Sequence, residues 1–147
     1  NEVHDIERRC FREEAWSTAD WNELHRQKNV ICMVAEACDG RVVAYMAYEL
    51  RQRSLVLLSL AVHPEEQGIG VGRALIEKLI SKLGKNRPTL RVWVSSRNTP
   101  AQQFFARMGL VAIGVDNERF VSVRGNPVEA IAFVCSLLPS TYSQEKR

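Results

Sequence analysis

Residues Gln67-Gly68-Ile69-Gly70-Val71-Gly72-Arg73 are the part of this sequence best suited to chemistry. They fall between the end of an apolar, strand-like run and the start of an amphipathic helical pattern. Alternating glycines permit positive φ and let a ligand come close to the main chain. The first amides of a helix lack intrahelical acceptors, and the helix dipole adds partial positive charge there. Such donors in series suit a phosphate or pyrophosphate, and Glu65 and Glu66 precede the turn rather than line it. Three glycines where a simple connection needs one add to the entropy lost on folding, which argues that the turn serves a ligand.

Two familiar phosphate turns are excluded. A P-loop needs Lys and then Ser or Thr after its last glycine, and here Arg73-Ala74 follow. The dinucleotide fingerprint G-x-G-x-x-G has Arg73 where its third glycine should stand. That fingerprint also needs a parallel βαβ unit, whereas the strands upstream read as hairpins.

The elements that must carry the turn follow from hydrophobic period. Strand-like Asn29–Ala37 and Arg41–Leu50 flank Cys38-Asp39-Gly40, a hairpin signal. A third strand, Ser54–Val62, completes an antiparallel meander. The period then becomes helical over Gly72–Leu83, with Leu75, Ile76, Leu79, Ile80 and Leu83 on one stripe and Gly84 expected at C′. Leu90–Val94 reads as a strand and Pro100–Met108 as a helix, with Thr99 expected at the N-cap, Pro100 at N1 and Gly109 at C′. Strands Leu110–Val115 and Glu129–Leu137 follow, separated by a polar stretch. Ahead of the meander, Ile6–Phe11 mixes apolar and charged residues at helical spacing. Ser17-x-x-Asp20 marks a second helix start, with Trp16 and Trp21 as a staple. The expected architecture is α+β: a mostly antiparallel sheet with helices on its faces, one domain over 1–138 and a loose tail over 139–147.

Composition narrows the function classes. The length of 147 residues suits one domain, and 46% apolar residues exclude general disorder. A net charge of +3 is too small to argue for nucleic acid, and Arg51, Arg53, Lys82, Lys85 and Arg87 read as a solvated face. The longest apolar runs, Leu55–Leu58 and Ala130–Cys135, are too short to span a bilayer, and no basic-then-apolar leader opens the chain. The opening Asn1, in place of methionine, suggests that the native start is missing. Cys10, Cys32, Cys38 and Cys135 form no C-x-x-C pair, and read as reduced core thiols of a cytoplasmic protein. His4, His25 and His63 are scattered, so no metal site is expected.

At the glycine turn the sequence resembles the GNAT superfamily of acetyl-CoA-dependent N-acetyltransferases. Its signature [QR]-x-x-G-x-[GA] is matched by Gln67 to Gly72, after a strand ending Leu60-Ala61-Val62-His63-Pro64. A second block, Asn98 to Leu110, resembles N-x-x-A-x-x-[FL]-Y-x-x-x-G-F in the family order. Ile6-Glu7, Trp16-Ser17 and Glu129-Ala130-Ile131 resemble RimI-type protein N-terminal acetyltransferases, so the resemblance covers nearly the whole chain. It implies a sheet with a splayed strand pair and helices on both faces, with the family's first strand absent here.

The resemblance also implies site residues. Gln67, Gly68, Ile69, Gly70, Val71, Gly72 and Arg73 would hold the cofactor pyrophosphate on their amides. Leu60, Ala61 and Val62 would pair with the pantetheine arm, and an N–H near Val62 would polarise the thioester carbonyl. Asn98 and Phe105 would complete the cofactor site. The implied ligand is acetyl-CoA with no metal, and the implied partner is an amine-bearing acceptor. The protein is expected in the cytoplasm as a monomer or homodimer, away from membranes and nucleic acid.

The catalytic positions depart from the RimI pattern. Trp93 stands at its glutamate position and Phe105 at its tyrosine position, and phenylalanine has no exchangeable proton. Stand-ins are Tyr48, Glu49, His63 and Ser95, of which at most one of the adjacent Tyr48 and Glu49 can line a cleft. Without an evident base, an α-amine of pKa about 7.7–8.0 is an easier acceptor than a lysine of about 10.4. The function expected is acetyl transfer to a primary amine, first a protein N-terminus and then a small-molecule amine. A non-catalytic acyl-CoA-binding module is the other class.

Overall fold

Residues 28–121 and 126–137 are described in the structure, a computed structural model. The first hairpin joins β1 (Val30–Glu36) to β2 (Val42–Leu50). Ala37 accepts from the Gly40 amide at 2.9 Å and donates to Arg41 at 2.8 Å, and Gly40 has φ 86°. This is a three-residue loop with a left-handed glycine closing a bulge, as Asp39-Gly40 implied. Antiparallel β3 (Ser54–Val62) continues the meander, then α1 (Val71–Ile80) crosses over to β4 (Thr89–Ser95), which lies parallel to β3. After α2 (Thr99–Arg107), the chain forms β5 (Val111–Val121) and β6 (Pro127–Ser136). Among the described residues the sheet has six strands in the order β1-β2-β3-β4-β6-β5. It is the mixed, mostly antiparallel α+β sheet expected.

The sheet is built to open at one end. Tyr48 of β2 faces Leu57 of β3, but Ala47 faces Ser59, so Leu58 is an unmatched bulge residue. A bulge bends its strand. Pairing of β3 with β4 stops at this place: Leu57 with Val92 is the last rung. Beyond it β4 stays on β6, through Trp93, Val94 and Ser95, while β3 stays on β2. The two parallel strands therefore splay.

Both described helices pack on one face of the sheet. Leu75, Ile76 and Leu79 of α1 and Phe105 of α2 join Met46, Tyr48, Leu57, Leu90, Val92 and Phe133 in one buried cluster. Each such aliphatic or aromatic side chain stabilises by about 1.5–3 kcal/mol on burial.

Several local expectations need correction. The N-cap of α2 is Asn98, whose Oδ1 accepts from the Ala101 amide at 3.1 Å, and Thr99 is already helical. Either residue type can cap, but only the side chain one position earlier reaches the third amide. At the other end, Gly109 has φ 92°, with Leu110 bonded to the Phe105 carbonyl and Gly109 to that of Ala106, a Schellman closure. The long helix ends at Ile80 rather than Leu83, because Lys82 and Leu83 donate three residues back, to Leu79 and Ile80. Gly84 is not left-handed and donates to Arg87. The polar stretch from Asp116 is largely strand, since β5 runs to Val121 against β6. Cys32 and Cys38 are exposed and only Cys135 is half-buried, so the core role fails for the first two. Cys10, the early helices and the tail lie outside the described residues.

Candidate functional site

The glycine turn lies where β3 leaves the sheet. A short 3-10 helix, Pro64–Glu66, follows His63, whose Nδ1 accepts from the Glu65 amide at 3.2 Å. Gln67 then runs extended, and its Nε2 donates to the Val62 carbonyl at 3.0 Å, tying the loop to the end of β3. Gly68 (φ 83°) and Gly70 (φ 93°) are left-handed, a conformation open to glycine and strained for L side chains. Gly70 caps α1 with no side-chain acceptor, and the first intrahelical bond is from Ala74 to its carbonyl at 3.0 Å. The amides of Val71, Gly72 and Arg73 thus head the helix without an intrahelical acceptor.

Gly72 differs from its neighbours. Its φ is not positive, and an added Cβ would stand 3.5 Å from both Phe104 Cζ and Val62 Cγ2, ordinary contacts. Neither backbone strain nor a clash within the chain requires glycine here. The charged side chains near the turn are paired off, so the main-chain amides are its donors. Glu66 is drawn toward Arg41 at 3.7 Å, and the Arg73 guanidinium is held by Glu77 at 2.8 Å, leaving the Arg73 amide as its donor to the site. Ile69 is 69% exposed between the two left-handed glycines.

The other expected cofactor residues cluster nearby. Leu60, Ala61 and Val62 form the part of β3 that has left β4, with Leu60 and Val62 on the helix-covered face. Asn98 heads α2 with its Oδ1 committed to capping, and Gln102 Nε2 donates to the carbonyls of Ser95 and Ser96, fixing α2 to the end of β4. Phe105 is buried, with its ring 5.1 Å from that of Phe104 and 6.4 Å from that of Phe133. It packs in the core cluster with Val92 and Val94 of β4. Trp93 is half-buried on β4, opposite Ala132 and one residue past the last β3–β4 rung.

The four stand-ins do not converge. Tyr48 faces the helices in the core and burial pushes its phenol up, which makes it a poorer acid. Glu49 points to the other face, level with Val56 in the part of β3 still paired to β4, and is bound to Arg51. His63 lies beyond the splay, with its Nδ1 already accepting from the Glu65 amide. Ser95 is buried, and its Oγ accepts from the Arg97 amide at 3.2 Å.

One pair escaped sequence reasoning. Tyr45 and Ser59 are both buried on the face opposite the described helices, with hydroxyls 2.9 Å apart, in the diverging half of β3. The signal was Ser59 itself, a hydroxyl interrupting an apolar run, which when buried must find a partner. Among the described residues no group of His, Cys, Asp and Glu could hold a metal, and no helix is long and apolar enough to cross a membrane.

The fold is shared with solved N-acetyltransferases. The ribosomal-protein-S18-alanine N-acetyltransferase from Escherichia coli superposes with a TM-score of 0.76 at 23% identity, over 90% of this chain and 84% of that one. Arabidopsis thaliana NAA60, in complex with a bisubstrate analogue, gives 0.75 at 15% identity, over 90% and 89%. A spermidine N-acetyltransferase SpeG chimera from Vibrio cholerae and hSSAT gives 0.69 at 21%, over 95% and 91%. These likenesses establish the fold. Residues 1–110 match the Acetyltransferase (GNAT) family, and the chain belongs to it. An "Uncharacterized N-acetyltransferase" of Archaeoglobus fulgidus is 35% identical over 95 residues, spanning 59% of this chain and 63% of that relative.

Proposed function

We propose that this chain transfers an acetyl group from acetyl-CoA to a primary amine, and that a protein N-terminal α-amine is its favoured acceptor. The observation that carries this reading is the row of uncapped amides at Val71, Gly72 and Arg73, beside a strand that has left its parallel neighbour. The residues fit the cofactor: no Cβ crowds the turn at Gly68, Gly70 or Gly72, and Glu66 is held off by Arg41. Acetyl-CoA, when bound, supplies an acetyl thioester whose thiol leaves readily, since thiols ionise near about 8.5.

The chain's own residues then bind and position. The helix-leading amides hold the pyrophosphate, and the diverging part of β3 offers main-chain groups to an extended arm. Asn98 and Gln102 fix the start of α2 against the end of β4. Glu49 is tied to Arg51, so the amine's proton passes to water, and rate comes from orientation. An α-amine suits that mechanism because about a tenth of it is neutral at pH 7, against about one lysine in 10³. The proposed setting is the cytoplasm, in keeping with the unpaired thiols of Cys32, Cys38 and Cys135.

A thiol-release assay tests the acceptor, using peptides with free N-termini, lysine peptides with blocked N-termini, and polyamines. Turnover confined to free N-termini is expected, and turnover on polyamines alone would overturn that choice. The buried Phe105 at the family's tyrosine position favours a second reading, a non-catalytic acyl-CoA-binding module. Coenzyme A binding with no thiol release from any acceptor would establish it.

A further inference from the structure

At the end of the sheet away from the glycine turn, the segment after α1 stands over β2 and β3 and leaves an open-mouthed pocket of about 400 Å³. Tyr48, Leu50 and Leu55 form its floor, and Lys82, Lys85 and Arg87 its rim. Among the described residues no Asp or Glu lines it, and none of the three cations has a carboxylate partner. Arg87 is held in place by its Nε, which donates to the Arg51 carbonyl at 2.7 Å. Tyr48 is 1% exposed, and since no buried side-chain nitrogen or oxygen among the described residues lacks a partner, the small exposed part, its hydroxyl, opens on this pocket. A phenol oxygen open to the base of a cationic pocket offers a donor to an acceptor oxygen from outside.

Lys82 could serve only the negative end of α1, but Lys85 and Arg87 lie past its last turn. Nor does helix stability explain the apolar floor or the Tyr48 hydroxyl. We infer that this pocket binds a small amphipathic anion: an apolar body rests on Leu50 and Leu55, and a carboxylate or phosphate meets Tyr48, Lys82, Lys85 and Arg87. The volume is at the lower end for ligand pockets, room for one ring and an anionic arm. The inference is independent of the acetyl-transfer reading, since none of these residues belongs to the glycine turn.

The test is calorimetric titration of the full chain with 3-phenylpropionate, phenyl phosphate and the neutral 3-phenylpropanol. At least one anion is expected to bind saturably with Kd of about 1 mM or tighter, and the alcohol about tenfold more weakly. The anion that binds identifies the head group. Tyr48→Phe should weaken it about tenfold, the loss of one hydrogen bond to a charged group. Lys82→Gln combined with Lys85→Gln should weaken it similarly and flatten its salt dependence, with coenzyme A affinity unchanged. Binding of neither anion, equal binding of the alcohol, or wild-type affinity in the lysine variant would overturn the inference. The lysine variant decides the matter even if Tyr48→Phe folds poorly, because Lys82 and Lys85 are exposed.

Discussion

Alanine in place of Gly70 puts an L side chain at φ 93°, where such residues lose about 1–2 kcal/mol. The smaller entropy of the unfolded alanine chain returns about 0.4–1 kcal/mol, leaving a net loss of about 1 kcal/mol. For a domain of this size that is roughly 3 °C in Tm. Alanine at Gly72 meets different conditions: no positive φ, and a Cβ in ordinary contact 3.5 Å from Phe104 and Val62. Helix propensity favours alanine there by up to about 1 kcal/mol, so stability should hold or rise. Coenzyme A affinity should fall in both variants. In the first the turn deforms; in the second a methyl group stands beside the amides that face the ligand. Loss of one charge-assisted hydrogen bond corresponds to about tenfold or more in Kd. Calorimetric melting without ligand and titration with coenzyme A separate the two effects. Wild-type affinity in Gly72→Ala would refute the argument that the third glycine serves a ligand, and an unchanged Tm in Gly70→Ala would refute the strain.

Three further outcomes follow from particular contacts. Asn98→Ala removes the cap of α2 and should lower stability by about 1 kcal/mol in denaturant melts, with Asn98→Asp restoring most of it. Among Cys32, Cys38 and Cys135, alkylation at pH 8 followed by mass spectrometry should mark Cys38 first. It is exposed at a turn, whereas desolvation by neighbouring groups pushes the thiols of Cys32, itself exposed, and of half-buried Cys135 up. The Arg41 guanidinium holds the Asp39 carboxyl below its ordinary 3.8. The stability it contributes is therefore present above that value and lost as pH falls through the lower folded one. Carboxyl NMR titration should show the depressed midpoint and its return toward 3.8 in Arg41→Gln.

What the sequence disclosed was local. The glycine turn, the Asp39-Gly40 hairpin and the Gly109 closure were legible because each is set by a few adjacent residues whose backbone demands are narrow. Edge strands were less so. Cys32 read as a core thiol within strand-like Asn29–Ala37, yet β1 lies at the sheet edge and exposes it together with Ile31 and Val34. Composition also hid the second half of β5, because its pairing is imposed by β6 rather than by an alternation of its own. The splay came from the family resemblance and not from spacing. Its physical cause, the unmatched Leu58, depends on the β2–β3 register, which no single strand encodes. The Tyr45–Ser59 pair needs the same register.

Incubation with acetyl-CoA labelled in its acetyl group, followed by mass spectrometry of a peptide with one free α-amine and one lysine, tests the central claim most directly. The account predicts enzyme-dependent label on the α-amine and little on the lysine. An unlabelled peptide, from protein that demonstrably binds coenzyme A, would contradict it.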